Sequence, residues 1–361
     1  MENRRAIIEL LKIRYPIIQA PMAGSDNSEF VAAASAAGIL GSLGAQYRTA
    51  DEIKLAVADI RSRTNRPFAV NLFALNNLSQ PEAGAIEKAR QALTRYYDRF
   101  HLTPPTNESI RLIDADEQLK AVLDSKVPVL SFTLGILSAQ WITAFTNIGT
   151  VLLGTATNVK EALALERAGV DAIVAQSSEA GGHRGTFIGD SESSLIGGLA
   201  LIPQIVDAVN IPVIAAGGIM DGRGITAALA LGASAVQMGT AFLTTTECPV
   251  NANFKKAVQT HYGDDTVITS VFSGGAARGI RNHYILENDQ TNSPILPFPF
   301  QNLLTASIRK AANQRGEIDY TNLWSGQNGR LAKTLPIKEL VENLVTETSQ
   351  QLKKLSNAGF E

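Results

Sequence analysis

The sequence of 361 residues holds a single cysteine, Cys248, and only four histidines, and no CxxC or HExxH spacing occurs in it. An internal disulfide and the common zinc modules are thereby excluded, and no metal is expected. Excess charge of one sign is also missing. With 32 Lys+Arg against 34 Asp+Glu, the net charge of −2 offers no footprint for nucleic acid or an anionic lipid surface. Long apolar runs are absent as well: the richest stretch, Ala227 to Leu243, is heavy in Ala and Gly and carries Gln237. A membrane span would need roughly 18 consecutive apolar residues. The opening Met1-Glu2-Asn3-Arg4-Arg5 leads into an amphipathic stretch broken by Glu9, Lys12 and Arg14, without the apolar core of a signal peptide, so a cytoplasmic protein is expected. What remains is 45% hydrophobic and 18% charged, enough to bury a large core.

Short apolar runs recur from Pro16 onward, each closed by a small or polar residue and followed by a segment with charges at helical spacing. That is the alternation of a parallel βα sheet. Strands are predicted at Ile17–Ala20, Ile39–Leu43, Phe68–Leu72, Val127–Phe132, Val151–Leu153, Ala172–Gln176, Val213–Ala216 and Ala235–Met238. Predicted helices include Asp51–Ser62 with Asp51 as its N-cap, Val159–Ala168 ended by Gly169, and Gly222–Leu231 ended by Gly232. Eight such units predict a closed (β/α)8 TIM barrel over residues 1–243. A helical insertion after the third strand, at about 74–126, carries Arg90, Arg95, Tyr96, Tyr97 and Arg99 and then Pro104-Pro105. Residues 244–361, with the proline-dense Pro294–Pro299 and a mixed helical tail at Lys338, Glu339 and Glu342, read as a C-terminal extension or lid completing the site.

In a barrel of this kind the reacting groups stand at the C-terminal ends of the strands, and the loops after strands seven and eight often hold a phosphate. Here those loops read Ala215-Ala216-Gly217-Gly218-Ile219 and Gln237-Met238-Gly239-Thr240-Ala241. Glycine lets backbone N–H groups approach an anion, so the pair is expected to form a phosphate cradle; tight turns without a ligand are the plainer alternative. Gly222-Arg223-Gly224-Ile225-Thr226-Ala227 loosely matches a dinucleotide pattern, but it follows a turn instead of a strand and is rejected. A mononucleotide, FMN first, is therefore expected ahead of a phosphorylated substrate.

The loop after the sixth strand, Gln176-Ser177-Ser178-Glu179-Ala180-Gly181-Gly182-His183-Arg184-Gly185-Thr186, surrounds one histidine with glycines. His183 is read as the group that exchanges protons beside a planar cofactor. Arg184 reads as a surface or phosphate-facing charge, and His101, His261 and His283 as structural. Pro21-Met22-Ala23-Gly24, Asn71, Ser131 and Thr133 close other strands at the same mouth. An amide at Asn71 fits either a flavin contact or a hydrogen-bonded core asparagine. Leu323-Trp324-Ser325-Gly326-Gln327 has the composition to cover a cofactor.

Taken with Pro16-Ile17-Ile18-Gln19-Ala20-Pro21-Met22-Ala23-Gly24, these motifs make the chain resemble, nearly end to end, the FMN-dependent nitronate monooxygenases formerly called 2-nitropropane dioxygenases, and among them bacterial class I. The resemblance implies FMN held by Met22, Asn71, Gln176, Gly181, Gly217, Gly218, Gly239, Thr240 and Gln327, with catalytic His183 facing the substrate. It implies that an alkyl nitronate, such as propionate 3-nitronate, gives an electron to FMN and with O2 yields a carbonyl compound and nitrite. His183 would then hold the nitronate as imidazolium or, for a neutral nitroalkane, remove the α-proton. Relatives often carry tyrosines where Pro297-Phe298-Pro299-Phe300 stands, so a more apolar pocket is expected here, and Lys310 reads as a solvated helix residue. The similar Gly-Gly-His of flavin-dependent enoyl-acyl carrier protein reductases keeps an NAD(P)H reductase of enoyl or quinone substrates as the alternative.

Overall fold

The computed structural model describes residues 2–75, 78–291 and 293–357; Met1 and the start of the predicted insertion at 76–77 lie outside the described residues. Eight parallel strands form the barrel: β1 (Ile17–Gln19), β2 (Gly41–Gly44), β3 (Phe68–Phe73), β4 (Val129–Thr133), β5 (Val151–Ala156), β6 (Ala172–Gln176), β8 (Val213–Ala216) and β9 (Ala235–Met238). Between β6 and β8 the chain adds the two-residue β7 (Gly182–His183), and beyond the barrel it adds β10 (Thr266–Thr269) and β11 (Ala277–Ile280). Each barrel strand pairs in parallel with its neighbours, β9 against β1, and the ring closes between β1 and β2 at the bridge of Ile18 with Leu40. The second strand therefore starts later than its predicted Ile39. At this seam the buried Gln19 side chain substitutes for ladder bonds, accepting from the Ser42 N–H at 2.9 Å and donating to the Ser42 carbonyl at 3.2 Å.

Strand periodicity decides what faces the barrel axis. Ala69, Val129, Leu153, Ala172, Val174, Ile214 and Ala235 fill the interior, and Ile7 and Leu11 of the helix Glu2–Leu11 join the same apolar cluster. The alternate residues Val70, Leu130 and Ile173 point outward, into a cluster shared with the surrounding helices. Moving two residues along from the interior set reaches Asn71, Ser131, Thr155, Gln176 and Gln237, all lining one cavity. One inward stripe is thus apolar in the middle of the barrel and polar at its C-terminal mouth.

Helix starts follow local capping chemistry. The helix predicted to begin at Asp51 begins at Ala50, because Thr49 caps it and forms a reciprocal box with Glu52. The predicted insertion contains more than an excursion: its last helix, Ala115–Asp124, packs beside Ala50–Arg63 as an ordinary member of the barrel's outer ring. The helices Ala83–Ala92 and Thr94–Phe100 instead share an apolar cluster with the extension, where Tyr96, Phe100, Phe272, Tyr284 and Phe300 meet. The final helix, Ile337–Asn357, lies on the barrel helix Gly222–Ala230. A side chain at Gly222 would run into the backbone of Glu347 and Thr348, so this glycine serves helix packing. Asp221 already caps the two following amides, from Arg223 at 2.9 Å and Gly224 at 3.3 Å, in keeping with the rejection of a dinucleotide site there. Among the described residues no helix is long and apolar enough to cross a membrane.

Candidate active site

A cavity of about 790 Å³ opens at the C-terminal mouth of the barrel, within the size range of cofactor and substrate sites. Of the ten residues singled out from the sequence, nine line it: His183, Met22, Asn71, Gln176, Gly181, Gly217, Gly218, Gly239 and Thr240. Gln327 does not, although its neighbours Gly326 and Asn328 do; its N–H donates to the Glu179 carbonyl at 3.1 Å. Asn71 donates to the Ser131 hydroxyl at 2.9 Å, so its amide is partly satisfied by the barrel itself. The Gly326 N–H donates to Thr240 Oγ1 at 2.9 Å and ties the Trp324 segment to the loop after β9.

The loop after β6 is fixed from three directions. Antiparallel β7 pairs with β11, putting His183 opposite Ala277, and β11 pairs in turn with β10. Gln176 donates to the His183 carbonyl at 3.0 Å and accepts from the Gly185 N–H at 2.8 Å, so its side chain braces the histidine from within the barrel. Arg184, expected at the surface or toward a phosphate, is 2% exposed. Its guanidinium donates to the carbonyls of Ser177 (2.6 Å), Gln176 (3.1 Å) and Ser194 (3.1 Å). A long loop turning back on itself leaves inward carbonyls that need donors, and arginine supplies them. Burial lowers the Arg184 pKa to about 10.

The His183 ring is enclosed by Phe298 at 4.9 Å, Trp324 at 5.7 Å and Phe73 at 6.1 Å between centroids. Its Nε2 lies 2.8 Å from Ser273 Oγ, and Nδ1 makes no hydrogen bond to protein among the described residues. Desolvation, and after it the positive charge of Arg309, lower its pKa to about 4, so the imidazole is neutral at neutral pH. The other histidines have structural partners or places. His261 bonds Ser325 and the Tyr262 carbonyl, His283 faces Glu287, and His101 ends a helix. Phe300 is 1% exposed in the extension's core, whereas Phe298 packs on His183, so only one of the two phenylalanines bears on the site.

Several lining residues escaped the sequence reading, among them Tyr47 and Arg309. These two come from a barrel loop and from the helix Phe300–Arg315, far apart in sequence. The only signal for Arg309 was its share of a helix face with Asn302 and Thr305, which becomes meaningful once that face is known to look into the barrel. Lys310 also lines the cavity and is exposed.

The glycine loops divide. At Gly217, with φ +112°, a side chain would strike the Ser177 hydroxyl, so packing alone requires glycine there. At Gly239 a Cβ would find only Ala20 Cβ at 3.5 Å and the Met22 sulfur at 3.6 Å, so packing does not exclude a side chain. The amides of Gly218 and Gly239 donate to no protein acceptor among the described residues, which suits an anion.

These features define a (β/α)8 barrel with a polar-lined cavity at its C-terminal mouth. The chain belongs to the nitronate monooxygenase family, whose profile matches residues 4–347, and it is an oxidoreductase. It is 43% identical over 355 residues to a probable nitronate monooxygenase of Staphylococcus aureus strain MSSA476, covering 97% of this chain and 99% of the relative. The solved nitroalkane oxidase from Streptomyces ansochromogenes is similar with a TM-score of 0.89 and 38% identity, covering 97% and 99% of the two chains. FabK from Thermotoga maritima is similar at 0.75 and 29%, covering 97% and 98%.

Proposed function

We propose that the cavity holds FMN and that the protein oxidises alkyl nitronates with dioxygen, releasing nitrite and a carbonyl compound. The observation that carries this reading is the one cavity in which unpaired amides at Gly218 and Gly239, the polar stripe of Asn71 and Gln176, and His183 are lined up together. The residues suit the cofactor: Gly218, Gly239 and Thr240 would take its phosphate, and Met22, Asn71, Gln176 and Gly181 would border the rest, with Gln327 reaching it only by moving its side chain. When bound, FMN supplies the electron transfer and oxygen chemistry that no side chain here provides.

The protein's own part is position and proton handling. Neutral His183, with Nδ1 unengaged, is able to accept the α-proton of a nitroalkane. Gln176 holds the His183 backbone through its carbonyl, Ser273 engages the imidazole at Nε2, and Phe73, Phe298 and Trp324 pack against the ring. The test is the absorption spectrum of the purified protein, followed by nitrite release from propionate 3-nitronate under air. A yellow protein releasing nitrite without NADH supports the reading. Rapid flavin reduction by NADH with no nitrite from any nitronate would move the chain to the reductases, the alternative that the Gly-Gly-His motif raised, and a colourless protein that takes up no FMN would remove the cofactor.

A further inference from the structure

Arg309 is a cation in the cavity wall with no carboxylate beside it. Its Nε donates to Thr305 Oγ1 at 3.1 Å and Nη1 to Asn322 Oδ1 at 3.2 Å. Nη2 donates to the carbonyl and side-chain oxygens of Asn302 at 2.9 and 2.8 Å. Every partner is neutral. A guanidinium has five N–H groups, so these bonds leave one on Nη1 without a protein acceptor. Arg309 is half-buried, and a partly desolvated cation with no counter-charge is normally paired or faces a ligand. The wider lining agrees: among the described residues it includes Arg309 and Lys310 but no Asp or Glu. A wall of that composition favours an anion beside Arg309 and Lys310.

We propose that Arg309 is the residue that binds the anionic nitro-oxygen end of the substrate nitronate, leaving His183 to act as a neutral base. This rests on the functional reading above and assigns a charge that the sequence left with the histidine. The free Nη1–H would donate to one oxygen of the nitronate while the guanidinium charge attracts the anion, and the remaining donors are already held by Asn302, Thr305 and Asn322, so the charge is pre-positioned.

Arg309→Met and Arg309→Lys, each purified with its flavin, test this against wild type. Two quantities are measured: the dissociation constant of nitrate, an inert planar anion, and kcat/KM for a preformed nitronate and for its neutral parent nitroalkane. In Arg309→Met, nitrate affinity and nitronate kcat/KM should each fall about 10–100-fold, the range for a lost charge-assisted hydrogen bond, with a smaller loss for the nitroalkane. Arg309→Lys, which keeps the charge but not the guanidinium donors that Asn302, Thr305 and Asn322 hold in position, should fall between. Unchanged nitrate affinity and nitronate kinetics in a folded, flavin-loaded Arg309→Met would overturn the proposal. If that variant fails to fold, wild-type behaviour of Arg309→Lys toward both anions would overturn it equally. Wild-type protein that binds nitrate through Arg309 yet turns over no nitronate would sink the functional reading alone.

Discussion

His183 and Ser273 meet through Nε2 and Oγ at 2.8 Å, and the Ser273 hydroxyl lies 3.2 Å from the Gly275 carbonyl. When Nε2–H donates to Ser273 and Ser273 donates onward to Gly275, the lone pair of the neutral ring sits on Nδ1, the nitrogen without a protein partner. In that arrangement the serine selects the tautomer that a base needs. Ser273→Ala should lower kcat/KM for a neutral nitroalkane about tenfold, the worth of one hydrogen bond to a group that becomes charged, and spare the preformed nitronate. Equal losses on both substrates would show that Ser273 only supports the fold.

His183→Asn should lose about 10²–10⁴-fold with the nitroalkane while keeping its flavin and much of its nitronate rate. The pH profile adds a second check. Burial and Arg309 hold the imidazole near 4, so it is the free base throughout the neutral range. Nitroalkane kcat/KM should stay level from pH 8 down to about 5 and fall only as His183 takes up its proton below that. An inflection at the ordinary histidine value, near 6.5, would contradict the enclosed, neutral ring.

The two glycine loops predict opposite outcomes. Gly239→Asp has room for its Cβ and should give a folded protein that has lost its yellow cofactor, because a carboxylate would face the phosphate. Gly217→Ala should instead lose stability, since the methyl meets Ser177 and the backbone holds a positive φ. Flavin content and thermal melts of the two variants decide the matter: a fully yellow Gly239→Asp would remove the phosphate from that loop.

Asp26 is 5% exposed and its Oδ2 accepts from the amides of Met22 and Gly44, both at 2.8 Å, while Oδ1 has no partner. Desolvation outweighs those bonds and the pull of Arg48, raising its pKa to about 6. For an acid raised in the folded state, ionisation works against folding: no penalty exists below the unfolded value, and it grows as pH rises through about 4 to 6. Asp26→Asn keeps an acceptor for both amides and removes the ionisation. Its unfolding free energy relative to wild type should therefore improve by on the order of 2 kcal/mol between pH 4 and pH 8. A difference independent of pH would show Asp26 to be ionised without penalty.

Most of the barrel was legible because its parallel strands are buried on both faces and read as short apolar runs between turn residues. The polar mouth was legible for the same reason: Asn71, Gln176 and Gln237 interrupt strands whose other residues are apolar. Contacts between distant segments were not legible. Arg184 looked like a surface charge because the carbonyls it serves come from a loop whose return path no local pattern encodes. Arg309 lay hidden in a helix of mixed polarity, and the shared cluster of the insertion and the extension joins residues 86–110 to 271–320. Gly217 and Gly239 read alike in sequence, and the positive φ of Gly217 together with the nearby Ser177 and Ala180 separates them.

The central claim is that this barrel turns a nitronate over to nitrite with oxygen as the only other substrate. Simultaneous recording of oxygen uptake and nitrite formation tests it, with purified yellow protein, a preformed alkyl nitronate and no nicotinamide cofactor present. The account predicts steady oxygen consumption with nitrite accumulating in step, both abolished when the flavin is removed and restored by FMN. No nitrite above the protein-free control from flavin-loaded enzyme, or nitrite that appears only when NADH is supplied, would contradict it.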